Sequence, residues 1–176
     1  MSPDLKEART ALIACVPRLR RYARALTGNT SAADDLVQDT MERGWRKLAT
    51  WRFGTYMRAW LFGIMHNLHI DQFRKGSLLT ETLDEDTPIP CAAATQEQGL
   101  HLRDLQTALN QLASEQREVL LLVALEDMPY EEVATTLGIP IGTVMSRLSR
   151  GREKLRTLME GRPLASSKIT PLKVIK

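Results

Sequence analysis

Thr143, Met145, Ser146, Arg147, Ser149 and Arg150 sit close together in the stretch GTVMSRLSRGREK, with Arg152 and Lys154 just beyond. Short hydroxyl side chains let a backbone come near base edges, and guanidinium or ammonium groups reach phosphate oxygens, so this set suits recognition of a nucleic-acid duplex. A second set, Arg58, Phe62, His66, His69 and Phe73, recurs every three to four residues and shares one helical face. Aromatic rings interleaved with imidazoles and a guanidinium suit contact with single strands, where each stacked base adds about 1–3 kcal/mol. The same residues fit a central helix that is apolar nearly all round, with Phe62 and Phe73 in the core, and the pattern leaves both readings open. A third set, Asp35, Asp39 and Glu42 with Arg46, forms an acidic face. It is either a dock for a basic or amide-rich helix or a solvated face carrying a Glu42–Arg46 pair.

Bond-making chemistry finds little support. His66 and His69 are three apart, yet no third ligand stands at metal spacing, and the carboxylates of the acidic face have no histidine neighbour. Cys15 and Cys91 lie far apart with no Cys or His near them at ligand spacing, so neither a zinc site nor a disulfide framework is indicated. No nucleophile, base and orienting group converge. The sequence therefore predicts no enzyme, no metal and no cofactor.

The elements that must position these residues follow from periodicity and breakers. Ser114 is a plausible cap for a helix whose apolar face includes Val119, Leu122 and Val123. Pro129 opens a short helix ending at Leu137, Gly138 permits a left-handed turn, and Pro140 starts a long helix. Short helix, tight turn and second helix make a helix-turn-helix, whose second helix enters the major groove. On that helix Val144, Leu148, Gly151, Leu155 and Leu158 face the core and turn Ser146, Ser149 and Arg150 outward. Upstream, Pro17 sits where a helix can begin, and PRLRRYARALTGN runs to a stop at Gly28 and Asn29. The next helix starts near Ser31, with Ala33, Val37, Met41, Gly44 and Leu48 inward, Asp35, Asp39, Glu42 and Arg46 outward, and Leu36 on the flank. In TYMRAWLFGIMHNLHIDQFRK, Met57, Leu61, Ile64, Met65 and Leu68 make the buried stripe.

Strand alternation is missing from both halves, so the fold class expected is all-α: two small helical domains, residues 1–75 and 101–160, joined by a flexible acidic linker at 76–100, with a poorly ordered tail at 161–176. The net charge of +3 hides segregation. Residues 1–75 carry thirteen Lys and Arg against seven Asp and Glu, 76–100 none against five, 101–139 two against seven, and 140–176 nine against two. Two basic blocks separated by acidic ones suit a polyanion, most simply nucleic acid. Two basic domains on such a linker can either spread along a promoter or fold together at low salt, where the acidic linker and the acidic half of the second domain can approach the basic first domain; the closed arrangement would hide both DNA faces. No apolar run nears the length needed to cross a bilayer, and the start MSPDLKEARTALIAC lacks an export pattern, so a cytoplasmic location without membrane insertion is expected.

DDLVQDTMERGWRKL, RAWLFGIMHNLHIDQFRK and LNQLASEQREVLLLVALEDMPYEEVATTLGIPIGTVMSRLSRGREKLR resemble the two domains of bacterial extracytoplasmic-function sigma factors of the sigma-70 family, their regions 2 and 4. The lead-in LRRYARALTGN is similar to the general-stress branch of alphaproteobacteria. The resemblance covers most of residues 12–158 and implies a subunit that binds core RNA polymerase and promoter DNA. It assigns Asp35, Leu36, Gln38 and Asp39 to the polymerase clamp coiled coil. Trp51 and Asn67, with Phe62 and His66 nearby and Arg58 on the same face, fall where the family melts the −10 element. Met145, Ser146, Arg147, Ser149 and Arg150, with Thr143 on the flank, fall where it reads the −35 element as duplex. Met145 stands where relatives often carry Lys or Arg, and TWRFGTYM departs from the usual Phe-Arg-Gly, so neither promoter sequence transfers. Such factors are commonly sequestered by an anti-sigma protein wedged between the domains, here expected to use the apolar flank around Leu36 and exposed parts of the second domain. A stand-alone helix-turn-helix regulator is the alternative, but no dimerisation heptad is visible and the acidic face would be idle.

Overall fold

The computed structural model describes residues 3–51, 56–79 and 96–160, and every regular element among them is helical. In chain order these are α1 (Pro3–Ala14), α2 (Val16–Thr27), α3 (Thr30–Lys47), a 3-10 turn (Leu48–Thr50), α4 (Met57–Leu79), α5 (Gln96–Asn110), α6 (Ser114–Ala124), α7 (Tyr130–Leu137) and α8 (Ile141–Met159). Helices α1–α4 form one group and α5–α8 a second, and the two share a continuous apolar core.

Local chemistry sets most of the boundaries. Gly28 and Gly138 adopt left-handed φ of 68° and 64°, a conformation glycine takes without the strain a side chain adds, and each ends its helix as expected. The Asn29 side chain accepts from the Ala32 N–H and caps α3. Pro140 is the cap residue of α8, with no N–H left to satisfy. Ser114 is not a cap: it is the first residue of α6, and Ala113 holds the flanking position with no side-chain bond.

The sequence reading missed α1, where Leu5, Ala8 and Leu12 turn inward against α3, α4 and the 3-10 turn. Helix also enters the span expected to be linker at both ends. α4 continues through Gly76 to Leu79, since a lone glycine costs a helix only about 1 kcal/mol. α5 already begins at Gln96, in a run of good helix formers. The rest of that span, the 161–176 tail and Cys91 lie outside the described residues.

Candidate functional site

The acidic face of α3 is open. Ala33, Val37 and Gly44 are buried, which leaves Asp35, Gln38, Asp39 and Glu42 exposed, with Glu42 paired to Arg46 one turn on. Leu36 requires a correction: it is 0% exposed and belongs to the core, so it offers no flank to a partner. The helical stripe is simply wider than one residue per turn, and α2 and α4 pack on both sides of it. Arg43, Asp71 and Gln72, which sequence reasoning passed over, join Asp39 and Glu42 along a shallow groove between α3 and α4. The Gln72 amide reaches Asp39 at 3.5 Å.

The reading face of α8 is open too. Val144, Leu148 and Gly151 are buried, and a Cβ on Gly151 would meet the Gln116 carbonyl at 3.3 Å, so α8 crosses α6 at close range. Met145, Ser146, Ser149 and Arg150 face solvent; Thr143 and Arg147 are half-buried on the flank. The Ser146 hydroxyl donates to the Thr143 carbonyl at 3.0 Å, which fixes its rotamer and leaves its lone pairs outward. Met145 and Ser149 border a hollow shared with Tyr130 and Arg152.

The face of α4 is closed. Met57, Leu61, Ile64, Met65 and Leu68 form the buried stripe as expected, but the second face is covered as well. Phe62 is 2% exposed and meets Tyr22 edge to face at 4.9 Å between centroids, so it takes the core reading rather than that of a stacking platform. Arg58 donates from Nη1 to the Glu126 carbonyl at 2.9 Å and lies 3.8 Å from Glu132. His66 Nδ1 is 2.6 Å from the buried Glu118 carboxylate. Asn67 is exposed, its amide donating to the Gly63 carbonyl at 2.9 Å, and Trp51 is half-buried just before residues 52–55, which lie outside the described residues. The Phe73 side chain is outside them too.

What closes that face is the second group of helices. α2 packs on α5 and α6, and α4 packs on α7. Arg117 donates to the Leu26 carbonyl at 2.7 Å, Gln106 to the Ala25 carbonyl at 3.3 Å, and Arg21 to Glu126 at 2.8 Å. Burial pushes the Tyr22 phenol well above its usual range, with Glu118 and Glu126 adding to it. Burial holds the His69 imidazole below its usual value, Glu118 opposing and Arg117 and His66 adding. The acidic half of the second group thus meets the basic first group, one of the two arrangements that the charge segregation allows. Only the α4 face is hidden, however; the α8 face points away and remains accessible.

Comparison with known proteins agrees with this layout. Residues 12–66 match the family described as the Sigma2 domain of PhyR, and residues 102–155 match Sigma-70, region 4. The chain is 36% identical to the ECF RNA polymerase sigma factor EcfG of Rhodopseudomonas palustris, over 89% of this chain and 87% of that one. It belongs to the extracytoplasmic-function sigma factors. A further relative of this sigma factor, SigE of Mycolicibacterium smegmatis, is 39% identical over 79% of this chain and 56% of its own length. Among solved structures, this sigma factor superposes on the sigma factor RpoE in complex with the anti-sigma factor NepR from Bartonella quintana, with a TM-score of 0.77, 32% identity and coverage of 88% and 98% of the two chains. It also superposes on CnrH in complex with the cytosolic domain of CnrY, with a TM-score of 0.66, 26% identity and coverage of 92% and 100%. Among the described residues no helix is long and apolar enough to cross a membrane.

Proposed function

We propose that this sigma factor docks on core RNA polymerase through Asp35, Gln38 and Asp39 of α3, reads duplex −35 DNA with Thr143, Met145, Ser146, Arg147, Ser149 and Arg150 of α8, and opens the −10 element with Trp51, Arg58, His66 and Asn67. The domains doing this work are residues 1–75 and 101–160. The observation that carries the reading is the open face of α8: small hydroxyls and Met145 at the helix start, the latter 49% exposed, flanked by arginines that have no ion-pair partner among the described residues. Promoter choice in the cytoplasm, with no catalytic centre or cofactor of its own, is the activity this supports. Arg58 and His66 are turned toward the second group of helices, so the −10 role requires the two groups to part.

Control by an anti-sigma protein is part of the proposal, supported by the relatives RpoE and CnrH having been solved with their partners NepR and CnrY. Because Leu36 is buried, the exposed carboxylates of α3 and the exposed parts of α5–α8 are the surfaces available to such an antagonist. The test is an Asp35→Arg, Asp39→Arg double variant titrated against labelled wild type for core polymerase. Circular dichroism should show an intact fold and the competition should fail; normal competition would reduce the α3 face to solvated surface.

A further inference from the structure

Three arginines of the first group converge on one turn of the second. Arg21 Nη2 donates to Glu126 Oε1 at 2.8 Å and to the Leu125 carbonyl at 2.9 Å. Arg18 Nη1 lies 3.7 Å from Glu126 Oε2, and Arg58 Nη1 donates to the Glu126 carbonyl at 2.9 Å. The Glu126 side chain is 0% exposed, whereas those of Arg18 and Arg21 are 52% and 53% exposed. The turn is bent to deliver these acceptors: Asp127 holds φ of 50°, a left-handed conformation that L-residues other than Asn and Asp rarely adopt. A carboxylate and two carbonyls aimed at planar guanidinium forks present the acceptor pattern of a phosphate, which the same forks match equally well.

We propose that Arg18, Arg21 and Arg58 form a binding site for the phosphate backbone of DNA, and that Glu126 occupies it as an internal stand-in while the two groups of helices are closed. The inference deepens the promoter-binding reading and rests on it. Glu126 is held wholly from across the boundary between the two groups. Its charge partners among the described residues all come from the other group of helices, and its Oε2 accepts no hydrogen bond there. The attraction within a buried ion pair is largely offset by the cost of desolvating its charges, so the contact closes the chain without locking it. A DNA phosphate brings more acceptor oxygens, and displacement returns Glu126 to water. Parting of the groups also releases His66 from Glu118 and Arg58 from Glu132, so phosphate binding and exposure of the α4 face favour one another reciprocally.

The experiment uses the full chain without polymerase, titrated with a short DNA duplex of random sequence at several salt concentrations and followed by small-angle scattering. Glu126→Gln keeps the shape and removes the charge. The expected result is a larger radius of gyration, several-fold tighter duplex binding, and a log–log salt slope steeper by about one to three, one for each phosphate newly neutralised. Adding Arg21→Ala to Glu126→Gln should leave the chain expanded and remove most of the gain in binding. Expansion without tighter binding would overturn the phosphate site, and an unchanged radius with unchanged affinity would overturn the stand-in. If Glu126→Gln fails to fold, the wild type decides: saturating duplex should expand it, and no expansion would overturn the inference. Core polymerase binding is measured separately by gel filtration. Its failure beside these positive results would remove the promoter reading and leave the phosphate site standing.

Discussion

α4 and α8 each carry arginine on a face beside an apolar stripe, with aromatic rings and imidazoles on α4 and small hydroxyls on α8, yet one face is covered and the other is open. On α8 the outward face at the helix start holds Met145, Ser146, Ser149 and Arg150, and its arginines, Arg147 and Arg150, make no ion pair among the described residues. On α4 the second face includes Phe62, and Tyr22, Glu118, Glu126 and Glu132 are all placed to receive what it presents. Helical periodicity says which residues share a face. What covers that face depends on complementary residues far away in sequence.

The largest effect that could break this comparison is at Phe62. Phe62→Ala should lower unfolding stability by about 3–5 kcal/mol, as for other buried aromatic truncations, read from chemical denaturation. A loss within about 0.5 kcal/mol would make Phe62 a surface residue and the two helices equivalent. On the open side, Arg150→Ala should leave stability within about 0.5 kcal/mol but weaken promoter duplex binding by about 1–3 kcal/mol for a base contact, or lower the salt slope by about one for a phosphate contact. Unchanged affinity and slope would remove Arg150 from the reading face.

Asn67 sharpens the comparison from the exposed edge of α4. Asn67→Ala should spare closed-complex formation by the holoenzyme and depress opening, read as lost permanganate reactivity of promoter thymines; full reactivity would leave α4 without a part in melting. The smallest expected effect is a pH dependence at His69. Its folded-state value lies below the unfolded one, so the unfolded chain binds more protons as pH falls through the ordinary histidine range, and stability is present above that range and declines on the acid side. His69→Gln should flatten that part of the acid limb in denaturation curves at several pH values, with Glu118, Arg117 and His66 unchanged around it. An identical limb would show that burial at His69 carries no linkage.

Much of the molecule was legible beforehand, for reasons that are local. Gly28, Gly138, Pro140 and the 3.6-residue stripes act within a few residues, so the helix boundaries of the helix-turn-helix and the inward faces of α3, α4 and α8 follow from the chain itself. Motif spacing and charge segregation also pointed to two basic faces and an acidic partner for one of them. The misses are non-local or lie at the margin of a pattern. Leu36 sits at the edge of its stripe, and only packing by both α2 and α4 buries it. Ser114 has the chemistry of a cap, but the backbone places Ala113 there instead.

Sequence by itself determined that both halves are helical, that helices break at Gly28 and Gly138 and restart at Pro140, and which residues on a helix travel together, because φ/ψ preferences and periodicity act over one or two turns. Tertiary structure alone decided that Glu118, Glu126 and Glu132 meet His66, Arg21, Arg18 and Arg58 across the two groups of helices. Charge counts allowed attraction between those regions but did not say which carboxylate would be buried under which guanidinium. That choice rests on matched shapes and on hydrogen-bond donors brought within about 3 Å of an acceptor, a condition set by how helices 50–100 residues apart pack together.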